Sequence, residues 1–494
     1  MRRGPLAGRY IPAAAMVIFA LVPYLALSAA LQPLTPIIGG DLHMSLNSMS
    51  LAFGLGNAGY AAGTVLAVAF AQHLPQRRML VVYATLLVIG SFLAAGAQNA
   101  AMFFAGHILQ GACTSLLLIA AVPPLAISFG KARLRETAMI MNMCIFGAVA
   151  IGPAIGGLQV HAHAWRPLFF VVALIALAAL MLSLLTFEDA PAMDPSAPWD
   201  PRAIALAVGG PTAAFFGASE LISHPFLNAS TIVPLAVGLV LIVVLVAYQY
   251  SAKRPLLTIQ GMLRSSMPVA GIVLALFAAA ASVSATELTA SVLASRYGPI
   301  HVGLLYLPEL AGAILTAFAL GVVIDKRSMH FLPLTGMVFL TAGIAVFRIE
   351  VPSTQALTLI GSGLTGIGLG ATVAPALFVA GFSLPSASLQ RVFALVELLR
   401  ACAAFMIAPI FSHLATTVGG NVKAGTGIAL WIGLGLAVSG AAIAVLIYAL
   451  SGARPQAPDL DEFLDGDGAA WHSPPLLAAL RSRRAGRVLA DEAA

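Results

Sequence analysis

Apolar stretches of about 20 residues recur along the whole chain, and this recurrence limits the fold more than any other feature. A helix needs about 20 apolar residues to cross a hydrocarbon core of roughly 30 Å. Fourteen such stretches can be counted, separated by short polar connections. Only 9% of the residues are charged and 60% are hydrophobic, whereas a soluble domain carries about 25% charged residues. The pattern predicts an all-α polytopic protein of the lipid bilayer and excludes a soluble globule.

The basic residues are distributed unevenly between the two sides of these spans. With the amino terminus placed inside, inner segments hold 20 Lys and Arg, outer segments hold 4, and Arg400 lies within a span, which accounts for all 25. Cytoplasmic loops carry such an excess, so both termini are predicted to be cytoplasmic. The formal charge of +6 then reflects topology, and no nucleic-acid partner is expected. The first stretch lacks a convincing cleavage site and is interpreted as an uncleaved span.

The connections divide the chain into parts. The segment 188–202, EDAPAMDPSAPWDPR, is polar and rich in proline, and it separates six spans from the remainder. The tail after the last span mixes acidic and basic clusters and is expected to be disordered. We predict a cytoplasmic N-terminus 1–11, a six-helix bundle 12–187, a cytoplasmic linker 188–202, a helix pair 203–250, a cytoplasmic connection 251–266, a second six-helix bundle 267–450 and a cytoplasmic tail 451–494.

The fifth span contains the segment GAVAIGPAIGG. Its glycines leave one helix face without side chains, so that another helix can approach closely. They are Gly147, Gly152, Gly156 and Gly157. Pro153 removes a backbone donor, which a bilayer tolerates where neighbouring protein satisfies the freed carbonyl. We expect the segment to be buried between helices, although Gly-x-x-x-Gly packing also occurs without any transport role.

Ionisable side chains inside the spans are candidate functional groups because burying them in a bilayer is costly. His107 in span 4 precedes Gln110 by one turn, and an imidazole gains and loses a proton in the physiological range. Glu287 and Glu309 lie in the outer halves of consecutive antiparallel spans and could approach each other. Two carboxyls close together in a low dielectric cannot both be ionised cheaply, so one would exchange protons. The alternative for each group is a hydrogen-bonded packing role.

Three further polar features are singled out. Glu397 and Arg400 are three residues apart in span 13, share a helix face and can pair. We interpret them as a structural ion pair, with a substrate or proton site as the alternative. Gln32 in span 1 and Gln110 in span 4 are candidate cavity residues, whereas Glu220, near the outer end of span 7, is interpreted as a surface residue. Cysteines occur only within spans and indicate neither a disulfide framework nor a metal site.

Several of these motifs resemble those of the Major Facilitator Superfamily, in particular its fourteen-span drug:proton antiporters of the EmrB/QacA-like kind. The G-P-x-x-G-G spacing at Gly152–Gly157 resembles the antiporter motif of the fifth helix, which lies where the two halves of those proteins meet. The sequence HILQG at 107–111 resembles an R-x-x-Q-G signature, with His in place of Arg. The helix pair 203–250 corresponds to the insertion that distinguishes fourteen-span from twelve-span exporters.

The loop signature G-x-L-a-D-r-x-G-r-r of this superfamily is resembled at two places. After span 2 only Arg77 and Arg78 remain, because Gln72 stands at the position of the Asp, and we interpret the two arginines as topology determinants. After span 10 the Asp is retained in the sequence Asp325-Lys326-Arg327. The second copy indicates an internal repeat of two six-helix halves.

The resemblance covers nearly all of residues 10–450 and implies a major facilitator fold with two six-helix bundles and two inserted helices. It implies a proton-coupled antiporter of the bacterial inner membrane that exports small amphipathic or hydrophobic compounds, as in multidrug efflux, by alternating access. We predict a proton relay of Glu287 with His107, and Glu309 as a lesser candidate. The proton gradient would supply the energy, so no cofactor is expected. A periplasmic adaptor protein is a candidate partner, and a monomer is expected to be functional.

One departure from the family keeps other functions open. Members usually carry an Asp at the position of Leu27 and an Asn at that of Gln32, so an ionisable group tied to proton handling is missing from the first half. One alternative is a proton-coupled symporter or metabolite exporter on the same scaffold. Another is a degenerate, non-transporting receptor or partner, against which the acids of spans 9 and 10 argue. An enzyme is not expected, since neither H-E-x-x-H nor G-x-S-x-G occurs.

Overall fold

Long apolar helices make up the structure, a computed structural model that describes residues 4–187, 191–349, 351 and 354–478, with the backbone alone at 283 and 284. Fourteen helices in these ranges are long and apolar enough to cross a membrane, and they correspond to the fourteen predicted spans. The predicted all-α polytopic class is confirmed. The helices are α1 Tyr10–Asp41, α2 Leu46–His73, α3 Gln76–Ala95, α4 Ala100–Ser128, α5 Gly130–His161, α6 Arg166–Thr186, α7 Pro201–Ile222, α8 Ala229–Ser251, α9 Ser266–Ala294, α10 Pro299–Val323, α11 Arg327–Ile349, α12 Gln355–Phe382, α13 Ser386–Thr417 and α14 Val422–Ser451.

Two bundles of six helices repeat the same packing. In the first bundle α2 packs on α4, α3 on α4 and α6, and α1 on α5 and α6. In the second bundle α10 packs on α12, α11 on α12 and α14, and α9 on α13 and α14. Each contact recurs eight helices later, as expected of an internal repeat. The bundles meet along α5 with α10 and along α2 with α13, two interfaces that the same relation makes equivalent.

Consecutive helices run in opposite directions, and their number, fourteen, is even. Both ends of the described chain therefore lie on the same side of the helix bundle. We call this the terminal side and the opposite one the distal side. On the terminal side the backbone N–H of Leu6 donates to the carbonyl of Leu185, which attaches the start of the chain to the end of α6.

The inserted helices α7 and α8 pack on each other, and α7 also packs on α2. The exposed face of α8 carries a row of valines at Val233, Val237, Val240 and Val243. Apolar side chains on an outer face suit contact with lipid, and the helix satisfies its own backbone groups there. Thus α8 faces outward and α7 lies between it and the two bundles.

Two of the helices are irregular where proline or glycine occurs. Helix α5 contains a π-helical turn at Met143–Gly147, which ends six residues before Pro153. Helix α10 is interrupted at Tyr306, one residue before a helical segment that has Pro308 in its first turn. Proline cannot donate the backbone hydrogen bond of a continuous helix, which explains the break in α10.

The tail is folded, and the predicted disorder is wrong for the described residues up to Ala478. A short helix, α15, spans Leu460–Asp465 and buries Leu460 and Phe463. The indole N–H of Trp471 donates to Ser383 Oγ at 2.9 Å, beyond the end of α12. Apolar side chains such as Leu460 and Phe463 supply this packing. They lie in an acidic segment, whose charge led to the prediction of disorder. Residues 479–494, with the basic cluster, lie outside the described residues.

The tail also completes the start of α9. The carbonyl of Pro474 accepts the N–H of Ser266 at 2.9 Å, and Ser473 Oγ accepts the N–H of Met267 at 3.0 Å. The first N–H groups of a helix have no partner within it, so the tail supplies an N-terminal cap.

The described part of the linker, from residue 191, crosses the terminal side. The N–H groups of Met193 and Asp194 donate to the carbonyls of Ala71 and Gln72 at 3.1 Å. The hydroxyl of Ser196 donates to Asp194 Oδ1 at 2.7 Å and lowers the pKa of that carboxyl. The linker is therefore attached to the end of α2.

Candidate functional site

A cavity of about 630 Å³ lies between the two bundles. Side chains of α1, α2, α4, α7, α9 and α13 line it. Leu46 at the start of α2, Thr417 at the end of α13 and Pro225 in the α7–α8 connection belong to the lining, and all three lie at distal ends of helices. The cavity therefore extends to the distal side.

Glu287 and Gln32 both line this cavity, from α9 and α1 respectively. Among the residues that the structure describes, no cation forms an ion pair with Glu287. Glu309 is not among the lining residues. Its backbone packs on Gly366 of α12, where a Cβ would overlap the Glu309 carbonyl, and it is buried. The structure thus brings one of the two predicted acids to the cavity and places the other in a helix contact.

His107 lines the same cavity from α4 and is only 1% exposed. Its Nδ1 donates to Gln110 Oε1 at 3.4 Å, and Gln110 Nε2 donates to Ser91 Oγ at 3.2 Å. The rings of Tyr24 and Phe53 lie 5.6 Å and 6.0 Å from the imidazole. Aromatic rings and the amide of Gln110 therefore hold the imidazole in place at the cavity wall.

A buried ion pair lies next to the cavity. Arg400 Nε is 3.0 Å from both carboxylate oxygens of Glu397, and Nη2 is 2.6 Å from Oε2. The hydroxyl of Tyr60, in the first bundle, donates to Glu397 Oε2 at 3.3 Å. The Tyr60 ring lies 6.1 Å from that of Phe405, which lines the cavity, and 6.4 Å from that of Tyr24. A charged pair of the second bundle is thus hydrogen-bonded to the first.

The glycine-rich segment of α5 lies where α5 meets α1 and α10. A Cβ at Gly152 would overlap Ala29 and Ala26 of α1, and one at Gly156 would lie 2.6 Å from the carbonyl of Ala30. A Cβ at Gly157 would overlap Pro299 of α10. Any side chain at these positions would push the helices apart.

Two other residues of the segment extend this contact. The carbonyl of Pro153 lies against Gly303 of α10, where a Cβ would be 2.6 Å away. Gly147 ends the π-helical turn and lies 3.6 Å, measured from its ideal Cβ, from Leu310. The segment therefore packs α5 against α1 of its own bundle and against α10 of the second bundle.

The two loop signatures behave differently on the terminal side. Asp325 forms an ion pair with Arg135 of α5, so the second signature connects the bundles. Lys326 and Arg327 are exposed. In the first signature Arg77 Nη2 donates to the carbonyl of Leu184 within the first bundle, and Arg78 is exposed.

Glu220, which the sequence predicted to be a surface residue, is buried. It is only 7% exposed rather than a surface residue, because α2 packs over the end of α7. Asn47 Nδ2 donates to Glu220 Oε1 at 3.3 Å, and His224 Nδ1 lies 3.0 Å from Oε2. The sequence showed the position near the end of a span but could not show which helix covers it.

Several cavity residues on α2 and α13 were not predicted from the sequence. Ser50, Gly54 and Asn57 on α2 line the cavity, as do Phe405 and His413 on α13. On α2 the spacing was a usable signal, since residues three and four apart share a helix face. On α13 the lining residues recur at the same spacing, from Phe405 through Pro409 and Ser412 to Thr416, so the same signal was present there.

The fold and this cavity define a class of protein: a polytopic helical membrane protein built from two related bundles around a central cavity. A sequence profile described as "Major Facilitator Superfamily" matches residues 17–308, which is more than half of the chain. The chain therefore belongs to the Major Facilitator Superfamily of transporters, and the predicted resemblance is confirmed at this level.

Among curated relatives, the chain is 27% identical over 326 residues to an uncharacterized MFS-type transporter, YubD, of Bacillus subtilis, with 63% of this chain and 62% of YubD covered. It is 25% identical over 340 residues to a multidrug resistance protein B homolog of Mycobacterium tuberculosis, covering 66% of this chain and 60% of the relative. Drug efflux pump JefA of the same organism is 24% identical over 358 residues, covering 69% and 68%. The chain spans about three fifths of the length of the first two relatives.

Solved structures share the fold. The POT family transporter PepTSo aligns with a TM-score of 0.62 at 14% identity, over 89% of this chain and 97% of that chain. The human organic anion transporter MFSD10 aligns with a TM-score of 0.60 at 14% identity, over 88% and 99%. At these identities the likeness concerns the fold alone.

Proposed function

We propose that this protein is a proton-coupled antiporter that exports small amphipathic or hydrophobic compounds by alternating access. One observation carries the proposal: Glu287 of the second bundle and His107 of the first line the same cavity. Ionisable groups within membrane helices are functional by default, and here both have access to one space between the halves. The names of two relatives, a multidrug resistance protein homolog and a drug efflux pump, support the same class of cargo.

The coupling would arise from competition within the cavity. A carboxylate attracts a cationic or hydrogen-bond-donating cargo, and protonation removes that attraction. By thermodynamic reciprocity, cargo binding must then lower proton affinity to the same degree. The apolar part of the lining, including Leu31, Phe53 and Phe405, would hold the nonpolar part of the cargo.

The directions of the two sides follow from the basic residues. We propose that the terminal side is cytoplasmic and that the membrane is the bacterial inner membrane. The structure would then be the outward-facing state, in which the ion pair of Arg135 with Asp325 fastens the cytoplasmic side. We propose that a monomer suffices, since the cavity lies within one chain, and that a periplasmic adaptor is a candidate partner.

The test is export driven by an imposed proton gradient. A fluorescent amphipathic dye is added outside inside-out membrane vesicles. The vesicles should accumulate the dye when their lumen is acidic, and an uncoupler should stop the accumulation. Glu287→Gln should abolish this accumulation because Gln cannot exchange a proton. Glu309→Gln is the matched control, since Glu309 lies outside the cavity lining, and it should retain most of the activity.

Direction decides between this proposal and a symporter on the same scaffold. An antiporter accumulates dye when protons leave the acidic lumen, whereas a symporter accumulates cargo only with the opposite gradient. Accumulation that ignores the gradient, or full gradient-driven activity in Glu287→Gln, would overturn the proposal.

A further inference from the structure

The inserted helix α7 supplies a large part of the cavity wall. The end of α7 and the start of the connection to α8, from Phe215 to Pro225, contribute eight lining residues, among them Leu221, Ile222 and His224. The cavity therefore has three walls: the first bundle, the second bundle and the distal end of α7.

This end of α7 is attached to the first bundle along α2. Ser50 Oγ donates to the carbonyl of Ser219 at 3.1 Å, and Asn47 Nδ2 donates to Glu220 Oε1 at 3.3 Å. A Cβ at Gly54 would overlap the Ser219 hydroxyl, so glycine permits the close approach of the two helices. Two hydrogen bonds and a close helix contact are more than a lipid-facing accessory helix requires.

Its polar contact with the second bundle is smaller. Among the described residues, that contact is the hydrogen bond from His413 Nδ1 of α13 to the carbonyl of Leu221, at 2.9 Å. Both His413 and Leu221 line the cavity. The end of α7 therefore covers the gap between α2 and α13. It forms two side-chain hydrogen bonds and a close helix contact with α2, and one hydrogen bond with α13.

We propose that the distal end of α7 is a movable wall of the cargo site, in which Ile222 is a specificity-determining residue that limits cargo size. The wall moves with the first bundle, and the contact of His413 with Leu221 separates when the bundles rock. This inference rests on the proposed alternating access. It assigns to the inserted pair a role in cargo selection, with amphipathic molecules as the ligand class.

The wall itself can be tested without transport. A cysteine is introduced at Asn57, in the cavity, and its labelling by a membrane-impermeant thiol reagent is followed from the distal side. The native cysteines at 113, 144 and 402 are buried and are first replaced by Ala. Ile222→Trp should slow labelling several-fold and shift binding toward smaller dyes, and Ile222→Ala should do the reverse. Val233→Trp is the matched control, because Val233 is 55% exposed on α8 and does not line the cavity.

The movement is tested with two cysteine pairs and a short thiol cross-linker. Linking Leu221→Cys to His413→Cys should stop the export that the same variant shows without the cross-linker, and cleavage should restore it, because the link joins the wall to the second bundle. Linking Asn47→Cys to Glu220→Cys should leave export intact, because these two positions contact each other, move together and do not line the cavity.

The outcomes separate the two proposals. Equal labelling in Ile222→Trp and Val233→Trp overturns the wall, whether or not the parent exports dye. Continued export with the Leu221–His413 link in place overturns the movement. Loss of export in the unlinked parent would instead count against the antiporter, while the labelling result still decides the wall.

Discussion

Two glutamates of the second bundle, Glu397 and Glu287, occupy opposite environments. Glu397 is 1% exposed and is held by three nitrogen contacts from Arg400 and by the hydroxyl of Tyr60. Glu287 lines the open cavity and has no ion-pair partner among the described residues. A carboxylate paired with a buried guanidinium stabilises the contact between helices, whereas an unpaired one beside a cavity is open to a cargo molecule or to a proton from solution. The difference teaches that an acid within a span is not by itself a proton site.

The largest expected effect is on the paired acid. Glu397→Gln leaves the Arg400 guanidinium buried without its counter-ion, and removing one partner of a buried pair costs about 3–5 kcal/mol. The midpoint of thermal unfolding in detergent should therefore fall strongly. In the double variant Glu397→Gln/Arg400→Gln neither charge of the pair remains, so part of the stability should return. If Glu397→Gln unfolds at the same temperature as the parent, the ion pair of Glu397 does not stabilise the fold, and this difference between Glu397 and Glu287 is lost.

The next effect concerns the unpaired acid and affects binding rather than stability. In the parent, affinity for a cationic dye should fall as the pH is lowered, because protonation of Glu287 removes a negative charge from the cavity. Couplings between two ligands are about 1–3 kcal/mol, or about 5–150-fold in affinity. In Glu287→Gln most of this pH dependence should disappear, and the histidines that also line the cavity account for what remains. Fluorescence titration in detergent measures this, and Glu309→Gln should keep the pH dependence of the parent.

A smaller effect is expected from the hydrogen bond between the bundles. Tyr60→Phe removes the donor to Glu397, and hydrogen bonds to charged groups contribute about 1.5–3 kcal/mol. Because Arg400 still binds the carboxylate, the loss should lie near the lower limit. Tyr24→Phe is the control, since the buried Tyr24 hydroxyl has no partner among the described residues, and it should unfold like the parent. Equal effects of the two variants would remove Tyr60 from the comparison.

The smallest effect tests an ion pair near the surface. Asp325, which is 20% exposed, pairs with Arg135, which is 52% exposed, and ion pairs of exposed side chains contribute about 0.2–1 kcal/mol. Asp325→Asn should leave unfolding nearly unchanged but favour opening of the terminal side by less than about fivefold. Labelling of a cysteine at Gln390, which lines a small pocket on that side, measures the opening. Arg133→Gln, which breaks a pair within α5, should not change it.

The sequence predicted the helices well because each span is specified by local hydrophobicity. The apolar composition and the length of each stretch place α1 to α14. The glycine face of α5 predicts close packing with other helices. The ion pair of Glu397 with Arg400 was also predictable, since both residues lie on one turn of one helix.

The site was less accessible to sequence reasoning because it joins residues far apart in the chain. Glu287 and Glu309 look equivalent by depth in consecutive spans, yet only Glu287 lines the cavity, and helix rotation decides this. Tyr60 contacts Glu397 across 337 positions, which no local spacing encodes. The burial of Glu220 depends on how the inserted pair packs on α2. The folding of the tail depends on Leu460 and Phe463 among acidic residues and on Trp471 beyond them.

The folded tail has a practical consequence for anyone who engineers this chain. Phe382 packs its ring against both Phe463 and Trp471, at 5.0 Å and 5.5 Å. A chain cut after Gly452 would leave that ring facing water and the beginning of α9 without its cap. Affinity tags or reporter proteins therefore belong beyond Ala478, where they spare this covering.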